Sequence, residues 1–243
     1  MRKFLPLFYF LTFILSANAQ DIQRKQLIAS RITSNIHIDG ILNEPEWADV
    51  AEATDFTQFQ FVYGKPSAYA TSIKVMYDNT AIYIGATMYD PHPDSIQKDL
   101  AARDEFGSAD FIGIIMDPYQ EGVNGIEFFV TASGVQAEAK TYPNSDNGED
   151  FTWDAVWVSA AKITEKGWVA ELKIPFSAIR FPNKDEQSWY INFVREVKRN
   201  RDKSAWNAID PQVQGFVNQS GILTGINNIK APVRLSLSPY FST

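Results

Sequence analysis

This chain reads as an all-β protein, an immunoglobulin- or jelly-roll-like antiparallel β-sandwich, on three observations. Short apolar or alternating runs recur along most of its length. Turn residues separate them, at Asp78-Asn79, Asp90-Pro91, Ser133-Gly134 and Lys166-Gly167. No long stretch of helical period is interleaved with these runs, which argues against an α/β layout.

Taken in order, the expected strands are 72–77, 81–89, 111–116, 125–132, 135–141, 156–163, 168–174 and 190–198. The first two flank Asp78-Asn79 and make a hairpin; 111–116, Phe-Ile-Gly-Ile-Ile-Met, is almost wholly apolar. The turn Lys166-Gly167 joins 156–163 to 168–174. Helix is confined to local segments near 45–51 and 176–180. In Trp153-Asp-Ala-Val-Trp157 alternate side chains of an extended strand share a face, so Trp153, Ala155 and Trp157 line one surface. Two flat rings with a small residue between them can stack against a sugar. The same spacing also suits two indoles built into a sandwich core.

The ends carry their own signals. Arg2 and Lys3, an apolar run from Phe4 to Leu15, and Ser16-Ala17-Asn18-Ala19 make a cleaved secretory signal peptide over 1–19, too short to span a membrane. A polar lead-in, 20–35, then precedes one domain at 36–228. Cleavage removes two positive charges, taking the net charge from −7 to −9. An acidic chain of this kind is a poor nucleic-acid partner. Hydrophobic content of 45% is ample for one core. The chain has no Cys, hence no disulfide and no thiolate metal site. Over 229–243, Val233-Arg-Leu-Ser-Leu-Ser-Pro-Tyr240 alternates and then stops. That suits the first strand of an outer-membrane barrel continued in a longer parent chain, or an ordinary edge strand.

Nucleophilic catalysis has little to work with. The two histidines, His37 and His92, fall in a strand-like run and a proline-rich loop, and no G-x-S-x-G, P-loop or dinucleotide fingerprint occurs. A glycosidase needs two placed carboxylates, and no pair stands out among the 29 acidic residues. Oxygen ligands for calcium gather in Asn144-Ser-Asp146-Asn147-Gly148-Glu149-Asp150, making Asp146, Glu149 and Asp150 candidate ligands; the run is equally a solvated acidic turn. Asp104-Glu105 with Asp110 carries the same two readings.

Four motifs in order, Ile38-Asp-Gly-Ile-Leu-Asn-Glu-Pro-Glu-Trp47, Val75-Met-Tyr-Asp-Asn-Thr-Ala-Ile-Tyr83, Asp110-Phe-Ile-Gly-Ile-Ile-Met-Asp117 and Gly167-Trp-Val-Ala-Glu-Leu-Lys-Ile-Pro-Phe176, resemble the family 9 carbohydrate-binding modules. The resemblance implies a sugar-binding sandwich, often attached to xylanases and sometimes holding structural calcium. It also implies a sugar clamped between two aromatic rings, one just ahead of the Asp110 strand and one in a late loop. Phe106 stands at the first position, and Phe216 or Trp206 at the second, with Arg103 and Asn218 as hydrogen-bond donors. A glutamate and an arginine of the family's pocket correspond here to Gly113 and Phe129. Within the fold, Asp39-Gly40 turns the chain, Trp47 anchors the lead-in, and Glu171 finds a partner, for which Arg195 is a candidate. The whole chain is similar to envelope proteins in which such a domain precedes an outer-membrane barrel. Together these readings lead to an exported, non-catalytic module whose partner is a polysaccharide or oligosaccharide, in the service of carbohydrate breakdown. The second reading is a docking domain for a barrel in the periplasm or outer membrane, without sugar binding.

Overall fold

A computed structural model describes residues 23–142 and 148–231. The signal peptide expected at 1–19, the candidate ligand Asp146 and the alternation from Val233 onward lie outside the described residues.

Among the described residues the strands are β1 (Gln26–Ile28), β2 (Ser30–Arg31), β3 (Glu52–Ala53), β4 (Thr57–Gln58), β5 (Thr71–Tyr77), β6 (Ala81–Tyr89), β7 (Phe111–Asp117) and β8 (Gly125–Thr131). They continue as β9 (Gln136–Thr141), β10 (Glu149–Asp150), β11 (Val158–Thr164), β12 (Gly167–Pro175), β13 (Glu186–Val197), β14 (Asp202–Ala205) and β15 (Gly221–Asn227). One sheet runs β1-β15-β13-β7-β8-β9-β10, with β14 on β13 and β4 on β14; the other runs β11-β12-β6-β5-β2, with β3 on β5. The sandwich is therefore all-β but not purely antiparallel. Strand β1 lies parallel to β15 and β2 parallel to β5, because the lead-in gives one short strand to each sheet across the single residue Ala29.

The core between the sheets is built by alternation: Trp168, Ala170, Leu172 and Ile174 of β12 face Ile112, Ile114 and Met116 of β7 and Trp189, Ile191 and Phe193 of β13. Strand β7 is buried along its whole length, which is why it reads as an apolar run rather than an alternation. Its outer side is covered by loops, and the outer side of β5–β6 is covered by residues 32–50, where Trp47 packs over Gly85. A Cβ at Gly85 would lie 2.7 Å from Leu42 and 3.0 Å from the Trp47 ring, so only glycine admits this anchor.

Two local expectations change. Helix near 45–51 is one 3-10 turn, Pro45–Trp47, and 176–180 is a turn closed by Ala178 N–H on the Pro175 carbonyl. Glu171 does not meet Arg195. It points outward from β12, where Oε2 accepts the N–H groups of Asp39 at 2.9 Å and Gly40 at 2.8 Å, tying the positive-φ turn at Gly40 to the sheet. Arg195 continues the inward row of β13 beyond Phe193. Its Nη1 donates to the Ala70 carbonyl (2.9 Å) and Thr71 Oγ1 (3.0 Å), and Nη2 to the Tyr89 carbonyl (3.0 Å). Opposite faces of opposite sheets keep the two side chains apart.

Replacing Arg195 with Ala leaves two strand-end carbonyls and several carboxylates buried without their cation. Urea unfolding is expected to show a loss of about 3 kcal/mol. A loss below about 1 kcal/mol would show that the guanidinium does not fasten the sheets.

Candidate functional site

The outer face of β7, β8 and β9 is where the resemblance implies a sugar pocket, and the structure fills it. Gly113 and Phe129 are cross-strand partners, and the Phe129 ring lies over the glycine; a Cβ there would come within 2.6 Å of two ring carbons. Phe106 packs on Phe111 (4.8 Å between centroids), Phe129 (5.1 Å) and Phe151 (5.8 Å), so it closes a four-ring cluster rather than forming one wall of an open slot. Where a polar pair is expected, an apolar plug stands.

Beside the plug is a loop cleft of about 630 Å³, walled by Phe59, Tyr142, Ile209, Phe216, Val217 and Asn218. Phe216 is half-buried and meets Phe59 edge-on at 5.7 Å. Asn218 Nδ2 donates to the Gln214 carbonyl at 2.9 Å, while its Oδ1, shielded from water, has no protein partner. The loop 118–124 presses against this wall at Gly122, where the positive φ, and a Cβ that would lie 3.2 Å from that of Asn218, disfavour a side chain. Asp117 shapes that loop by accepting the N–H groups of Tyr119 (3.1 Å) and Gly122 (2.7 Å).

On the far side of the same loop lies a tryptophan cleft of about 420 Å³, lined by Trp153, Tyr119, Asn124, Lys140 and Arg180, among others. Trp153 is half-buried, its edge against Phe128 (5.9 Å) and the Lys140 ammonium 4.8 Å from its centroid.

The remaining aromatic candidates are core. Residues 153–157 precede β11 and alternate as expected, but the shared face of Trp153, Ala155 and Trp157 turns inward, with Val156 exposed instead. Trp157 is buried against Phe128, and its Nε1 donates to Glu138 Oε2 at 3.1 Å. Arg103 pairs with both oxygens of the buried Glu138, at 2.5 and 2.7 Å, so its charge is spent on the fold. Trp206 is buried on Phe193. The sequence thus supplied Phe216, Asn218 and Trp153 to open clefts, and missed Phe59, Tyr119, Tyr142 and Arg180. The aromatic run Phe59-Gln-Phe-Val-Tyr63 was the available signal for the first of these.

The acidic run does not present a calcium shell in its described part. Asp150 Oδ1 accepts from Thr152 N–H (2.9 Å) and Oγ1 (2.6 Å), and Glu149 is hydrogen-bonded to Glu127. Among the described residues no three His, Cys, Asp or Glu converge on a cation position. In the second acidic cluster, Asp104 accepts the Glu138 N–H and Asp110 the Lys198 N–H. Glu127 lies buried on β8, also accepting from Thr141 Oγ1. Burial first, and then the neighbouring Glu149 charge, push its pKa well above the usual carboxylate range. The pair therefore holds a proton that the unfolded chain gives up.

Protons bound more tightly by the folded state make stability fall as pH rises from the unfolded carboxylate range through the pair's raised folded pKa. Thermal melts between pH 5 and 9 are expected to show this fall, and Glu127→Gln to flatten it; an unchanged profile in the variant would assign the dependence elsewhere. Gly113→Ala is expected to cost about 2 kcal/mol through the clash with Phe129, and Phe129→Leu to recover part of it in the double variant. Additive losses in that cycle would refute the plug.

The sequence profile described as carbohydrate family 9 binding domain-like matches residues 38–220. A family 9 module from Caldicellulosiruptor kristjanssonii, crystallised with cellotriose, superposes with a TM-score of 0.58 at 14% identity, over 90% of this chain and 100% of that one. The same kind of module with glucose gives 0.57 at 14% identity, over 88% and 100%. A Bacteroides uniformis protein whose carbohydrate binding is itself inferred gives 0.67 at 11% identity, over 83% and 99%. No curated protein sequence matches the chain. At these identities the solved structures speak for the fold, and the profile, spanning most of the chain, speaks for descent: the protein belongs to the carbohydrate family 9 binding domain-like family.

Proposed function

We propose that the protein binds a neutral glycan without chemical turnover, and that the sugar sits in the loop cleft on Phe216. The observation that carries this is the pairing, in one cleft, of a half-buried aromatic ring, Phe216, with a partly exposed carboxamide side chain, Asn218. Sugars supply both complements. Their ring C–H faces are apolar enough to pack on Phe216, and their hydroxyls hydrogen-bond with polar groups at the cleft rim. The cleft volume is in the range of about 300–1,000 Å³ usual for small-ligand sites. The modules crystallised with cellotriose and glucose support the reading through shared family. Export by the N-terminal signal, and service to a glycan-degrading system, belong to the same proposal.

A second reading is favoured by the Phe129 plug: the usual pocket has been closed and the domain now docks to an outer-membrane barrel. The two differ in what a folded sample does with sugar. On a glycan array the domain is expected to bind neutral oligosaccharides, with affinity falling about tenfold in Phe216→Ala and to a similar degree in Asn218→Ala. A blank array from a sample with a sharp thermal transition would reject sugar binding and turn the question to co-purification with a barrel.

A further inference from the structure

The tryptophan cleft is not absorbed by the loop cleft, yet the two adjoin. Tyr142 lines both, and the 118–124 loop separates them, giving Gly122 and Val123 to one side and Tyr119, Glu121 and Asn124 to the other. Its chemistry is that of a saccharide seat. Trp153 supplies a flat indole that meets Phe128 in a T-shaped contact at 5.9 Å. Tyr119, 51% exposed, supplies a second ring and a hydroxyl at the rim. Asn124, whose Nδ2 donates to Glu121 at 3.1 Å, and the exposed Arg180 supply donors and acceptors around them.

The charges of the lining balance: Lys140 and Arg180 stand against Asp117 and Glu121. A balanced lining offers an ionic ligand no net attraction, whereas charged donors and acceptors interleaved around an aromatic face bond strongly to vicinal hydroxyls. The Lys140 ammonium, 4.8 Å from the indole centroid, places a cation beside the ring.

We infer that the tryptophan cleft is a second saccharide subsite, and that the ligand is a neutral chain of several pyranose units laid across Tyr142 rather than a single terminal sugar. This rests on the reading of the loop cleft as the first subsite. Each cleft alone is of single-ligand size, and two that share a wall suit neighbouring stretches of one polymer.

The test is calorimetric titration of the full chain with monosaccharides and with neutral hexasaccharides of glucose, xylose and mannose. A hexasaccharide is expected to bind at least tenfold more tightly than its monosaccharide. Trp153→Ala is expected to remove about tenfold of that gain. Arg180→Ala, at an exposed position, is expected to weaken hexasaccharide binding. Affinity independent of chain length, or loss in Phe216→Ala with none in either Trp153→Ala or Arg180→Ala, overturns the second subsite and leaves the first standing. No binding by any probe overturns both, and tight binding of a uronic hexasaccharide over the neutral ones overturns the argument from charge balance.

Discussion

The sandwich depends on a cation placed where alternation calls for another apolar side chain. Arg195 sits in the inward row of β13, and its three hydrogen bonds reach the start of β5 and the end of β6 in the opposite sheet. Burial lowers its pKa to about 10, which leaves it charged at neutral pH, with Asp110, Asp90 and Asp202 sustaining that charge. Asp110, itself pushed up to about 6 by burial, and Arg199, paired with both oxygens of Asp90 at 2.7 and 2.8 Å, complete a charged clasp. Tyr77 performs a neutral version of the same task elsewhere, its hydroxyl reaching from β5 to the Gly225 carbonyl at 2.8 Å on β15. Hydrophobic burial would let the two sheets slide or rotate; directional bonds of this kind specify one relative setting.

With the sheets set, the loops at the Asp117 end of β7 are positioned rather than merely attached. Asp117 draws the following turn back onto itself, Gly122 brings that turn against Asn218, and the 216–219 segment is gripped in return by Gln219, whose Nε2 reaches the Gly215 carbonyl at 2.7 Å. Both clefts are thus walled by backbone that hydrogen bonds hold in place. A preformed wall spares a ligand the entropy of ordering it.

The sequence announced strands best where both faces or one face are buried by regular packing. Residues 81–89 match β6 at both ends, and 111–116 match β7 to within one residue. It missed β1 to β4, β10 and β14, all of four residues or fewer, since such strands exist only through their partners and carry no period of their own. β15, seven residues long, also went unseen: Gly221 and Gly225 interrupt its apolar pattern. The tryptophan run shows a different limit. Periodicity states which side chains share a face, and it did so correctly for Trp153, Ala155 and Trp157, but it cannot state whether that face meets solvent or core. Glu171 was readable as a charged residue needing a partner, and Arg103 as a donor to a sugar; that they instead meet the Asp39–Ile41 backbone and Glu138 depends on where the fold places each.

The fit of Phe129 over Gly113 has a consequence for how such a domain can change. A side chain added at Gly113 alone collides with the ring, and loss of the ring alone opens a void in the four-phenylalanine cluster. Either single step passes through a poorly packed intermediate, so the two positions are bound to move together or not at all. Packing alone, independent of any sugar binding, couples the residues at these two positions. Innovation is then cheaper in the neighbouring loops, where side chains can be exchanged without disturbing a ring stack.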